Sequence, residues 1–173
     1  AYSNAVPRFT GSLNERTRGI VGPWVHKYPH FAVPTPAIGF LQEACGWWRR
    51  WLDGDAHAAA EVPRHRVYVM DSVRPNGWYT ERQGEWFSFG SWPDARADAV
   101  AYGLAEGRLI SGVGGGGGSV VVDSPPTTGS AGGEFCAIWL GPEMPIDQRH
   151  DDACSVCFDS EPLSEPLVVT GAP

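Results

Sequence analysis

The sequence predicts an α+β protein in two parts, a short helix-containing portion over residues 1–61 and a strand-rich portion over residues 62–173. Three observations predict it. Apolar residues recur at helical spacing from Ile38 to Leu52, and short β-branched runs separated by turn residues dominate after Arg64. With 22 glycines, 15 prolines and 12% aromatic residues, the chain is also too rich in turn formers and rings for a helical bundle.

In the first part a short helix is expected from Asn4. A strand follows at Arg18-Gly19-Ile20-Val21-Gly22, a β-branched run closed by Pro23. Residues 24–34 hold two histidines, two prolines and three aromatic residues, and read as loop. The next helix is predicted to begin with Thr35 as N-cap and Pro36 at the first helical position. Its core face is Ile38, Leu41, Cys45, Trp48 and Leu52; Arg49 and Arg50 suit the negative end of its dipole, and Gly54 closes it. Phe40, Trp47 and Trp51 widen the apolar face, so packing against more than one neighbour is expected.

The character changes at Glu61-Val62-Pro63, which sets the boundary between the two parts. Beyond it, strands are expected at His65-Arg66-Val67-Tyr68-Val69-Met70, Ser119-Val120-Val121-Val122 and Pro166-Leu167-Val168-Val169, a spacing that suits a β-sandwich or jelly roll. Residues 111–118, with five consecutive glycines, read as a mobile connection, and residues 129–133 as a second loop.

Charge and cysteine usage narrow the function. A net charge of −7 and one adjacent basic pair, Arg49-Arg50, argue against a nucleic-acid partner, whose phosphates need clustered cations. Lys27 is the single lysine beside twelve arginines. Cys45, Cys136, Cys154 and Cys157 lack the spacing of a disulfide-stapled domain, so reduced thiols are expected. No run approaches membrane-spanning length and no secretory leader is visible, so a soluble, cytoplasmic protein without a membrane partner is expected. With no initiator Met and an end at Val168-Val169-Thr170-Gly171-Ala172-Pro173, both termini are expected to lie inside a longer polypeptide.

One place reads as a site. In Ile20-Val21-Gly22-Pro23-Trp24-Val25-His26 a strand ends and a histidine follows at once. Loops beyond the carboxyl ends of strands present side chains on a rigid scaffold, and imidazole is the common proton shuttle near neutral pH. A structural role for His26 is the plainer alternative on local pattern alone.

The stretch Gly22-Pro23-Trp24-Val25-His26-Lys27-Tyr28-Pro29-His30, with Gly39-Phe40-Leu41-Gln42-Glu43 and Trp47-Trp48-Arg49-Arg50-Trp51-Leu52, resembles the cocaine-esterase and X-Pro dipeptidyl-peptidase-like hydrolases. The resemblance continues through Arg64-His65-Arg66-Val67-Tyr68-Val69-Met70, Gly84-Glu85-Trp86, Ser91-Trp92-Pro93, Asp147-Gln148-Arg149 and Phe158-Asp159-Ser160-Glu161-Pro162-Leu163. It implies the last strands and helix of an α/β-hydrolase domain over residues 1–61, followed by an incomplete galactose-binding-like jelly roll over residues 62–173. It implies a serine hydrolase acting on a small-molecule ester or amide, or on a peptide. His26 would be the general base of a Ser-acid-His triad that needs no cofactor and no metal.

The resemblance also implies what is missing. No Gly-x-Ser-x-Gly precedes His26, and the triad aspartate would fall immediately before Ala1, so the 173 residues alone are expected to be inactive. Tyr2 stands where that family places an aromatic of the acyl-binding pocket, with ordinary packing as the alternative. His30 is expected to pack the loop or rim the substrate, Trp24 to serve as scaffold, and Asp53 and Asp55 not to replace the missing acid. Asp147-Gln148-Arg149 would mark an internal salt bridge or a contact to the catalytic domain.

Other signals are weaker. Cys154-Ser155-Val156-Cys157 has zinc-like spacing without a second pair and reads as strand. Asp147, Asp151 and Asp152 read as a solvated turn, and the glycine run lacks the Lys-Ser/Thr of a phosphate loop. Trp78, Trp86, Trp92 and Trp139 motivate an alternative of another class, a non-catalytic carbohydrate-binding jelly-roll module.

Overall fold

The computed structural model of the chain describes residues 5–60, 62–112, 114, 118–138 and 141–170. It is mixed α and β, with few helices and small open sheets: one sheet of three strands and a separate two-stranded hairpin. Helix α1 spans Ala5–Ser12, β1 Gly19–Val21, α2 Phe40–Trp51, β2 His65–Met70 and β3 Gly84–Phe89. The hairpin strands are Tyr102–Ala105 and Arg108–Ser111, and the last helix, α3, is the single turn Arg149–Asp152.

β1 pairs with β2 in parallel, Gly19 opposite His65 and Val21 opposite Val67, and β2 pairs with β3 antiparallel, His65 opposite Phe89. Parallel neighbours need a crossover, and the segment carrying α2 supplies it. The sheet therefore runs across the expected division between residues 1–61 and 62–173, with β1 on one side of it and β2 on the other.

Strand alternation sorts the side chains onto two faces. His65 and Phe89 point to the α1 side, where Thr10 and Val6 crowd the hydrogen of Gly19: a methyl there would meet Thr10 Cγ2 at 3.0 Å and Val6 Cγ1 at 3.1 Å. Ile20, Arg66, Tyr68 and Trp86 belong to the other face. There Arg66 Nη2 lies 2.6 Å from Glu43 Oε1 of α2, a contact of charge more than of aligned hydrogen bonding.

α1 is held tightly for a helix of its length. Thr10 is buried and its hydroxyl donates to the Val6 carbonyl at 2.8 Å, while its Oγ1 lies 3.0 Å from His65 Nδ1. Since that hydroxyl proton is committed to Val6, Nδ1–H of His65 is the donor to Thr10. Arg64 adds bonds from Nη2 to the carbonyls of Thr10 at 2.6 Å and Leu13 at 2.9 Å, placing a cation on the helix's carboxyl end.

Several expectations are corrected. α2 begins at Phe40, not at Pro36 behind a Thr35 cap, because the backbone of Thr35 is engaged elsewhere: its N–H donates to the Thr80 carbonyl at 2.9 Å and its carbonyl accepts from the Arg82 N–H at 3.1 Å. α2 has no fully buried residue, and Leu41, Trp48 and Leu52 of the expected core face are exposed. Its apolar side lines an open groove of about 360 Å³ against Ile20 and Val62. The runs at 119–122 and 166–169 are not strands: no strand pairs with them among the described residues, and Val121 is 91% exposed. The hairpin was missed by the sequence reading; its signal is Gly107 at φ 73°, one of the two residues joining Ala105 to Arg108. Half of the glycine-rich connection, residues 113 and 115–117, lies outside the described residues.

The exposed surface is 12674 Å², whereas a compact monomer of this mass exposes roughly 8,300 Å². Among the described residues, no helix is long and apolar enough to cross a membrane.

Candidate functional site

His26 sits five residues beyond the end of β1, and Gly22, Trp24 and Val25 between them fix the path. Gly22 must be glycine: a methyl there would lie 2.6 Å from the Trp24 ring, which folds back over it. The Trp24 indole N–H donates to the Pro36 carbonyl at 2.7 Å, and its ring packs 6.1 Å from that of Trp86 on β3. Trp24 thus serves as scaffold, stapling the loop to the sheet at one end and to the approach of α2 at the other.

Val25, at 8% exposure, is buried together with Ala32 and Pro34, and its N–H donates to the Val33 carbonyl at 2.8 Å. The Lys27 N–H returns to the Val25 carbonyl at 2.7 Å, so His26 is the middle residue of a γ-turn. Its φ is not positive, which makes the turn the inverse, unstrained kind. The His26 N–H donates to the Ala137 carbonyl at 2.7 Å. His26 thus stands on the tip of a tight turn, next to buried Val25, with its backbone held by hydrogen bonds and the residue itself exposed. Lys27 beside it is exposed as well.

His30 belongs to an aromatic cluster, stacked on Phe40 with ring centroids 6.3 Å apart and edge-on to Phe31 at 4.6 Å. That is loop packing. Tyr2 lies outside the described residues. Asp55 caps the turn after α2, accepting from the backbone N–H groups of His57 at 3.0 Å and Ala58 at 3.2 Å and pairing with Arg49. These backbone bonds, led by that from His57, lower its pKa. Asp55 is thus occupied in capping.

The remaining candidates separate. Cys45, Cys136, Cys154 and Cys157 are free thiols, and residues 154–157 form turn and loop instead of the expected strand. Among the described residues, no group of three His, Cys, Asp or Glu side chains is placed to hold a metal ion. Of the acidic run, Asp151 and Asp152 lie in α3 and not in a turn, while the exposed Asp147 precedes the helix: it pairs with the Arg149 guanidinium and accepts from the Arg149 backbone, which holds its pKa down at about 2. Asp151 is buried and accepts from the Ala131 N–H at 2.9 Å. Trp86 packs on Tyr68 and Trp24, whereas Trp92 packs on His65 and Phe89, so these two indoles serve opposite faces of the sheet and make no common platform. Trp139 lies outside the described residues.

Two carboxylates are buried where the sequence gives no sign of it, Asp151, expected in a solvated turn, and Glu143, which no pattern singles out. Each accepts from a backbone N–H more than four residues away, and no local pattern announces such a bond. His65 is a third such group. It is 3% exposed, with Nε2 buried and without a partner, as suits a bare lone pair on a neutral ring. Burial first, then the nearby charges of Arg64 and Arg18, lower its pKa.

No protein-family model, curated protein or solved structure matches the chain.

Proposed function

We propose that the chain carries the histidine of a serine hydrolase that cleaves a small-molecule ester or amide, or a peptide, through an acyl-enzyme. His26 takes the proton of an attacking serine and returns it to the leaving group. The serine, the acid that orients the imidazole and the oxyanion donors come from polypeptide outside these 173 residues.

The observation that carries this reading is the placement of His26 beyond a strand, exposed and on a γ-turn fixed by backbone bonds.

The test uses a chromogenic ester. The 173-residue chain is expected to show no turnover, and the longer polypeptide that contains it is expected to be inactivated by a sulfonyl fluoride. His26→Ala in that longer polypeptide should lower kcat by at least about a thousandfold. Near-normal turnover by His26→Ala would remove the reading.

A further inference from the structure

The backbone that holds His26 is itself held by a residue far away in sequence. The Ala137 carbonyl accepts the His26 N–H at 2.7 Å, and the N–H of the same peptide group, that of Ile138, donates to Glu143 Oε2 at 2.6 Å. In a trans peptide C=O and N–H point in opposite directions. One peptide group therefore stands between a carboxylate on one side and the His26 amide on the other.

Glu143 is well placed to set that peptide. It is 9% exposed, and its own backbone is fixed from both directions. Its carbonyl accepts from the Glu134 N–H at 2.8 Å, and its N–H donates to the Gly77 carbonyl at 3.0 Å. Gly133 packs so closely that a methyl there would meet the Glu143 carbonyl oxygen at 2.6 Å, and its φ of 76° suits only glycine. A carboxylate accepting from a peptide N–H polarises the whole group and makes its carbonyl a stronger acceptor, more so away from water.

We propose that Glu143 is a positioning residue for His26, acting through the Ala137–Ile138 peptide to fix the γ-turn from which the imidazole projects. Its role in hydrolysis rests on the serine-hydrolase reading; the structural link to His26 does not. Glu143 touches neither substrate nor the reacting atoms in this scheme. It decides where the histidine's backbone stands, and a displacement of about 1 Å at a proton-transfer group costs up to about a hundredfold in rate.

The experiment has two arms. In the first, the His26 amide proton of the 173-residue chain is followed by NMR in Glu143→Gln and Glu143→Ala, with the β2 and β3 amides reporting the fold. Glu143→Gln keeps an acceptor but loses the charge, so the His26 amide should shift upfield while β2 is unmoved. Glu143→Ala should speed exchange of the His26 amide by about tenfold or more. If Glu143→Ala unfolds the chain, the shift in Glu143→Gln decides. An unmoved His26 amide in a folded variant overturns the proposal.

In the second arm, Glu143→Ala in the longer, active polypeptide should lower kcat about tenfold at unchanged KM, with most of the loss restored in Glu143→Gln. Unchanged kcat in Glu143→Ala overturns the catalytic consequence. If the amide responds but His26→Ala leaves turnover intact, the serine-hydrolase reading fails while the Glu143–His26 link stands.

Discussion

Residues 19–36 and residues 119–170 are both rich in β-branched residues and prolines, yet they end in different states. The first gives a strand paired with β2, a loop stapled by Trp24 and a buried group formed by Val25, Ala32 and Pro34. The second leaves Val120, Val121 and Val122 exposed and Leu167, Val168 and Val169 in no strand. Composition does not separate them. The neighbours do: β1 finds β2 across the crossover that carries α2, whereas the later valines have no strand to pair with among the described residues. β-propensity measures how well a side chain fits a pleated, half-buried surface, and without that surface it organises little.

The comparison can be broken by mutation. The largest effect is expected at Phe89, 6% exposed opposite His65 and packed 6.2 Å from the ring of Trp92. Phe89→Ala should cost about 3 to 5 kcal/mol, which for a chain with so small a core amounts to loss of the sheet. Urea unfolding followed by tryptophan fluorescence reads it.

A smaller, pH-dependent effect is expected at His65. Its folded pKa is lowered, so the folded state binds fewer protons than the unfolded chain, in which histidine titrates near about 6.5. The stability it confers is full above that pH and is lost as pH falls from there towards the folded value. Protonation would place an N–H without an acceptor at the buried Nε2. Unfolding midpoints at pH 7.5 and 5.5 should therefore differ more for the wild-type chain than for His65→Asn; equal differences would show that another group carries the effect.

The smallest effect is expected where the comparison says nothing is held. Val121→Ser should change stability by no more than about 0.5 kcal/mol by the same urea measurement, and a larger loss would mean that the valine run is packed in solution.

What was legible in the sequence follows the same division. β1 and β2 were readable because their apolar runs are local and bounded by proline or turn residues, and the mixed α and β class followed from them. The start of α2 was misread because Thr35 and Pro36 form a plausible helix entry by themselves. Only the non-local pairing of Thr35 with residues 80–82 shows why the helix waits until Phe40. At the candidate site, the position of His26 after a strand was legible. The bonds that hold it were not, because Ala137 and Glu143 lie more than a hundred residues further along the chain. His65 gave no sign either: in sequence it is one polar residue in a strand, and its burial depends on Thr10 arriving from a helix 55 positions earlier.

Lys27 has a practical consequence. It carries the chain's single side-chain amine, it is exposed, and it adjoins His26 on the γ-turn. A reporter coupled through that amine would sit one residue from the proposed general base without any engineered cysteine. Its anisotropy would then register directly whether a second surface closes over the loop.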